Sequence, residues 1–295
     1  MSTSKSKFMA PGEAGVLERA GIAAPPPTPR KGSRFRRLVV LLGPPLIVAC
    51  VFLGIWNLLS YVILNPTQRF LLPPPLQVVK VGFLNWPHLK EILVTGLLPT
   101  TQVALTGLAI AIVIGMVSAI LMSQARWVER SLYPYAVVVQ TIPIIALVPL
   151  IGFLLNYSFK SRVLACVMIS IFPIITNTLF GLKSADSTLH DLFTLHGAGR
   201  LTRLWKLQLP AAMPAIFTGF RISAGLSVIG AIVGDFFFRR GDPGLGVLIT
   251  NYQSRLQGEQ MYGALILAIL LGVVTFWVFG LIGRKVVGTW ADAAV

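Results

Sequence analysis

Three histidines, two cysteines and ten acidic residues are this chain's supply of metal ligands, bases and nucleophiles. None falls at a spacing that performs such chemistry. His88, His190 and His196 form no His-Glu-x-x-His, and neither a Gly-x-Ser-x-Gly elbow nor a Gly-x-x-x-x-Gly-Lys-[Ser/Thr] phosphate loop occurs. Cys50 and Cys166 lie inside apolar runs, where a thiol is a small packing group rather than half of a disulfide or a metal site. The organised polar chemistry lies in residues 191–210, a basic interruption between two apolar segments. Leu201, Leu204, Trp205 and Gln208 fall on one side of a helix there, and Arg200, Arg203 and Lys206 on another. Gly197 and Gly199 allow a sharp turn before it, and Pro210, followed by Pro214, is expected to close it and open the next segment. The chemistry this supports is recognition. On periodicity alone it suits either an interfacial helix with its cations toward lipid phosphates or a docking element for a partner outside the membrane.

The elements that must hold this segment are membrane spans. Hydrophobic residues make up 55% of the chain and charged residues 12%, about half the charge of a soluble domain. A bilayer core of about 30 Å needs about 20 apolar residues per helix. Stretches near 38–59, 98–122, 135–155, 163–182, 213–236 and 261–282 meet that length, so the expected fold class is an all-α membrane protein of about six transmembrane helices. Pro143 and Pro149 in the third stretch, and Pro173 in the fourth, predict kinks that neighbouring helices must accommodate. Between the first two spans, the pattern of Val78, Val79, Phe83, Trp86 and Leu89 predicts a helix lying along the interface.

Basic residues fix an orientation and explain the net charge of +15. With the N-terminus cytoplasmic, sixteen Lys and Arg fall on inside segments and eight on outside ones, Arg162 among the latter. That bias places both termini and the 191–210 segment in the cytoplasm. The positive charge therefore reads as topology and contact with membrane lipid, with no nucleic-acid partner. Residues 1–37, rich in Pro, Ala and charge, read as a disordered cytoplasmic tail, residues 38–284 as the membrane domain with its loop at 184–212, and 285–295 as a cytoplasmic C-terminal tail. Two charges fall within or at the end of the fifth span. Arg221 is expected to snorkel or to pair with a loop acid such as Asp191; Asp235, near the outer mouth, is expected to anchor a helix end or to line a pore.

The 191–210 segment resembles the EAA motif of permease subunits of ATP-binding-cassette (ABC) importers. Asp191 stands at the Glu position, Gly197 at the Gly, Leu207 at the Ile, and Leu209 and Pro210 at the Leu-Pro, all at the family's spacing. Leu192 and Phe193 replace the two alanines, which implies a different local packing groove against the partner. Residues 142–150, 172–181, 214–221 and 244–246 are similar to the nitrate, sulfonate and taurine branch of these permeases.

The resemblance implies a type I ABC importer permease fold with a cytoplasmic coupling helix, in a bacterial cytoplasmic membrane. It assigns Asp191, Gly197, Ala198, Arg200, Leu204, Leu207, Leu209 and Pro210 to contact with a separate ABC ATPase subunit, so that replacing Gly197 or placing a charge at Leu204 should uncouple transport. It also implies a second permease copy and an external substrate-binding protein. ATP is then hydrolysed by the partner, and this chain binds no cofactor or metal and is not an enzyme. The solute is a small one: a sulfonate, a nitrate-like anion or a vitamin precursor. A secondary carrier or channel subunit is the transport alternative, although no inverted repeat pairs the two halves. An integral membrane enzyme is the alternative of another class.

Overall fold

The computed structural model describes residues 34–288, and side chains from residue 43 onward. Most of the expected tail 1–37 and the last residues of the expected tail 285–295 lie outside the described residues, while the first helix begins at Arg34 and the last runs to Val287. The helices are α1 (Arg34–Leu58), α2 (Pro75–Val79), α3 (Trp86–Glu91), α4 (Leu98–Gln124), α5 (Arg126–Thr141), α6 (Ile144–Leu155), α7 (Phe159–Lys183), α8 (Ser187–Leu195), α9 (Arg200–Arg203), α10 (Leu209–Phe237), α11 (Leu245–Ser254) and α12 (Gly258–Val287). No strand occurs among the described residues. The described residues divide into two units, one ending at Ile55 and the other beginning at Trp56. In the first, the helical residues Leu46, Ile47, Val48, Val51 and Phe52 are all exposed, as a helix in lipid requires. The second carries the remaining elements and the packed core.

Five helical runs are long and apolar enough to cross a membrane, and the pair α5 and α6, bent by 96°, makes the sixth. The expected single span at 135–155 is therefore two helices. The break falls at Ile142–Pro143, where both residues are extended: proline excludes the α conformation from the residue before it, and no neighbour restores the helix. Pro173, by contrast, stays inside α7. The expected interfacial helix is likewise divided at extended Asn85, so that Trp86 starts a continuous run of 39 residues to Gln124.

π segments accompany four further prolines. Leu59–Ile63, Lys80–Leu84, Ile92–Leu97 and Leu204–Gln208 are π-helical, and each stands two or three residues before a proline: Pro66, Pro87, Pro99 and Pro210. A proline removes one N–H and crowds the carbonyl four residues back. Before Pro99 and Pro210 a wider turn with i→i+5 bonding relieves that crowding and the helix continues, whereas the segments before Pro66 and Pro87 end at extended Leu64 and Asn85. Pro210 accordingly does not close the amphipathic segment, and the run from Arg200 continues unbroken to Phe237 over 38 residues.

The core of the second unit is the antiparallel pair α7 and α10 with α4 beside them. Val103, Ala104, Ala111, Val163, Val167, Ile174, Val228 and Ala231 form its main apolar cluster. Close approach depends on Gly230, where a Cβ would lie 2.7 Å from the Cα of Cys166 on α7. Because that neighbour is backbone, Gly230→Ala is expected to cost about 1–3 kcal/mol. A Cβ at Gly225 on the same helix would meet only Phe276 at 4.0 Å, so Gly225→Ala should be nearly neutral. Thermal unfolding of the two variants in detergent checks the difference.

Candidate functional site

The 191–210 segment is built from two short helices joined by a turn. Asp186 caps α8 by accepting the Thr188 N–H at 2.7 Å. That backbone bond, with the Thr188 hydroxyl second, holds the Asp186 carboxyl below its usual 3.8. The cap is thus fully charged above the unfolded value and is lost as pH falls through the lower, folded one. At the other end of α8 the chain reverses through Gly197, whose φ of +67° L side chains rarely adopt. The turn is fixed by bonds from the Gly197 N–H to the Thr194 carbonyl at 3.0 Å and from the Ala198 N–H to the Phe193 carbonyl at 2.9 Å. Arg203 reaches back to donate to the Thr194 hydroxyl at 3.1 Å, tying α9 to α8.

The apolar residues of this segment divide into two groups. Leu204 and Leu207 are buried, and Leu204 packs with Leu182, Ala212 and Ile216 at the adjoining ends of α7 and α10. Leu195, Leu201 and Trp205 stand 85%, 70% and 66% exposed. The reading that set Leu201, Leu204 and Trp205 on one face is corrected here. At about 100° per residue Leu201 and Trp205, four apart, point nearly the same way, while Leu204 points about 100° from Trp205 and turns toward the bundle. Leu204 and Leu207 hold the segment to the bundle, and a charge at Leu204 tests stability before it tests docking. Of the other residues the motif assigned, Asp191, Gly197, Arg200 and Pro210 are exposed, while Ala198 and Leu209 are partly covered. Leu192, at one of the two departures from the motif, is 47% exposed on α8.

At the opposite ends of α7 and α10 lies a second polar centre. Asp235 is fully buried and Arg162 is 2% exposed. Arg162 Nη1 donates to Asp235 Oδ1 at 3.0 Å and to the Asp242 carbonyl at 2.9 Å. The Thr100 hydroxyl, at the start of α4, donates to Asp235 Oδ2 at 2.8 Å and accepts the Leu245 N–H at the start of α11, also at 2.8 Å. One carboxylate thus joins the ends of α4, α7, α10 and α11. Gly244 makes room for it, since a Cβ there would stand 1.9 Å from Asp235 Oδ2. Of the two expectations for Asp235, this geometry matches the helix-end anchor. Arg221 does not reach Asp191; its guanidinium lies 4.0 Å from the centre of the Phe276 ring.

Arg162, the buried partner of Asp235, was missed by sequence reasoning, having been counted as an outside loop charge. The signal was present. Arg162 directly precedes an apolar run and Asp235 ends another, and the charge-derived orientation puts both at the same side of the membrane, where an unpaired acid and base are costly. Thr100 carried no comparable mark.

No group of three or more potential metal ligands occurs among the described residues. The geometry is that of a helical membrane bundle with an external apolar patch at one end and a buried charge centre at the other. The sequence model described as "Binding-protein-dependent transport system inner membrane component" matches residues 111–288. The chain belongs to that family. The formylaminopyrimidine transport permease protein of Halalkalibacterium halodurans is 34% identical over 79% of this chain and 90% of its own length. The riboflavin transport system permease protein of Chloroflexus aurantiacus is 29% identical over 88% and 96%. A nitrate import permease protein of Leptolyngbya laminosa is 26% identical over 87% and 90%. As a permease of this family the chain is a multi-pass inner-membrane subunit of an ABC importer, and its general partners are an ATPase and a substrate-binding protein.

Proposed function

We propose that this permease forms, with a second permease copy, the path for a small solute and takes its driving force from an ABC ATPase docked on residues 187–208. The observation that carries the reading is the division of the 187–208 segment: Leu204 and Leu207 are buried in the bundle while Leu195, Leu201 and Trp205 face outward with no cover. An aromatic and two leucines on a rigid, turn-locked element have the composition of a protein-binding hot spot. The helical run that bears Leu201 and Trp205 continues to Phe237 over 38 residues, about 57 Å at 1.5 Å per residue. A displacement at Arg200 is therefore carried along one rigid element toward Asp235, where the ends of α4, α7, α10 and α11 are joined. Alternating access follows as a rigid-body change between two arrangements of the bundle. In this reading both termini and the docking segment are cytoplasmic, and the nucleotide is hydrolysed by the partner.

For the solute, a heterocyclic vitamin precursor has more support than a sulfonate or nitrate. The formylaminopyrimidine permease is 34% identical to this chain, against 24% for an aliphatic sulfonate permease of Bacillus subtilis and 26% for the nitrate permease. The test is uptake into vesicles carrying the permease with its ATPase and binding protein, using labelled formylaminopyrimidine, riboflavin, an alkanesulfonate and nitrate. ATP-dependent accumulation of the pyrimidine is expected. Accumulation of nitrate or the sulfonate alone overturns the solute assignment, and uptake that needs no ATPase overturns the mechanism.

A further inference from the structure

A second polar feature lies at the end of the bundle from which the 187–208 segment leaves. The junction of α4 and α5 and the end of α7 enclose a cavity of about 690 Å³ lined by Ser123, Arg126, Glu129, Arg130, Tyr133 and Lys183, among others. Its charges are three cations and one carboxylate. Glu129 is already held by the Lys183 ammonium. Arg126 and Arg130 are exposed, one helical turn apart on α5, and make no hydrogen bond or ion pair among the described residues. Like charges four residues apart on a helix repel. Two unpaired guanidinium forks at the mouth of a cavity, with the Ser123 and Tyr133 hydroxyls in its wall, make an environment that an anion with several oxygens relieves.

The surroundings select the kind of anion. Trp127, Tyr133 and Tyr135 on the same helix are 73%, 38% and 71% exposed. Amphipathic rings exposed at the end of a span settle at headgroup depth. The cavity therefore opens where lipid phosphates are dense, beside the exposed apolar surface that acyl chains cover. From this geometry we infer that the cavity between α4, α5 and α7 is a binding site for the phosphate headgroup of an anionic phospholipid, with Arg126 and Arg130 as its principal ligands. Lys183 ends α7 and Ser187 begins α8, so a headgroup bound there braces the base of the segment proposed to receive the ATPase.

The test is native mass spectrometry of the full chain in detergent with phosphatidylglycerol and phosphatidylcholine of identical acyl chains. The wild-type protein is expected to retain phosphatidylglycerol preferentially, and Arg126→Gln/Arg130→Gln to weaken that retention by about 30-fold, in line with the contribution of two basic residues to anionic-lipid binding. Arg239→Gln/Arg240→Gln removes the same charge at the other end of the bundle and should leave retention unchanged. Millimolar inorganic phosphate should not displace the lipid. Equal retention by the Arg126/Arg130 variant, equal loss in the Arg239/Arg240 variant, or displacement by inorganic phosphate each overturns the proposal. Both double variants alter exposed side chains, and matching melting temperatures confirm that neither result comes from unfolding.

Discussion

Asp235→Ala is expected to destabilise the permease by about 3–5 kcal/mol, the cost of leaving one partner of a buried ion pair uncompensated. The size follows from what remains. Arg162, 2% exposed, keeps only backbone carbonyls as partners, and the Thr100 hydroxyl loses the acceptor it holds at 2.8 Å. The partner variant Arg162→Ala should be nearly as harmful, because it strands the carboxylate of Asp235. The double variant Arg162→Met/Asp235→Leu removes both charges and keeps apolar volume, so it should recover most of the loss, as apolar replacements of buried ion pairs commonly do. Unfolding of purified protein by heat or denaturing detergent gives all three values. A neutral Asp235→Ala would show that the pair does not hold the helix ends together.

The second large effect concerns docking. Trp205 is 66% exposed, so Trp205→Ala should leave the fold intact. At a hot spot the loss of a tryptophan costs about 2 kcal/mol or more, which weakens ATPase association roughly 30-fold. Leu201→Asp, 70% exposed at wild type, should act in the same direction, and the two together should abolish ATP-driven uptake with an unchanged melting temperature. Leu204→Asp is the contrasting variant. It places a carboxylate in the cluster with Leu182, Ala212 and Ile216, so it should lower the melting temperature first. Binding of the ATPase to permease in nanodiscs separates these outcomes.

What the sequence made legible was set by length and charge. Apolar runs of sufficient length located the spans, and the Gly197 turn was readable because a glycine between two patterned stretches has few other uses. Two features escaped for physical reasons. Proline carries no local information about whether its neighbours can absorb it: Ile142–Pro143 breaks a span at 96°, while Pro210 lies within a continuous helix because a π turn precedes it. The charge centre escaped because Thr100, Arg162 and Asp235 are far apart in the chain and meet only when α4, α7 and α10 pack. A pairing of that kind follows from topology, and periodicity does not reveal it.

Photo-crosslinking from position 205 shows whether the ATPase docks on the 187–208 segment. A photoreactive amino acid replaces Trp205 in the permease expressed with its ATPase and binding protein, and a second sample carries it at Leu256, which is 62% exposed in the turn between α11 and α12. Irradiation of intact membranes is expected to join position 205 to the ATPase and position 256 to no ATPase. An adduct between position 205 and the external binding protein, or ATPase adducts from position 256 alone, would rule out ATPase docking on this segment.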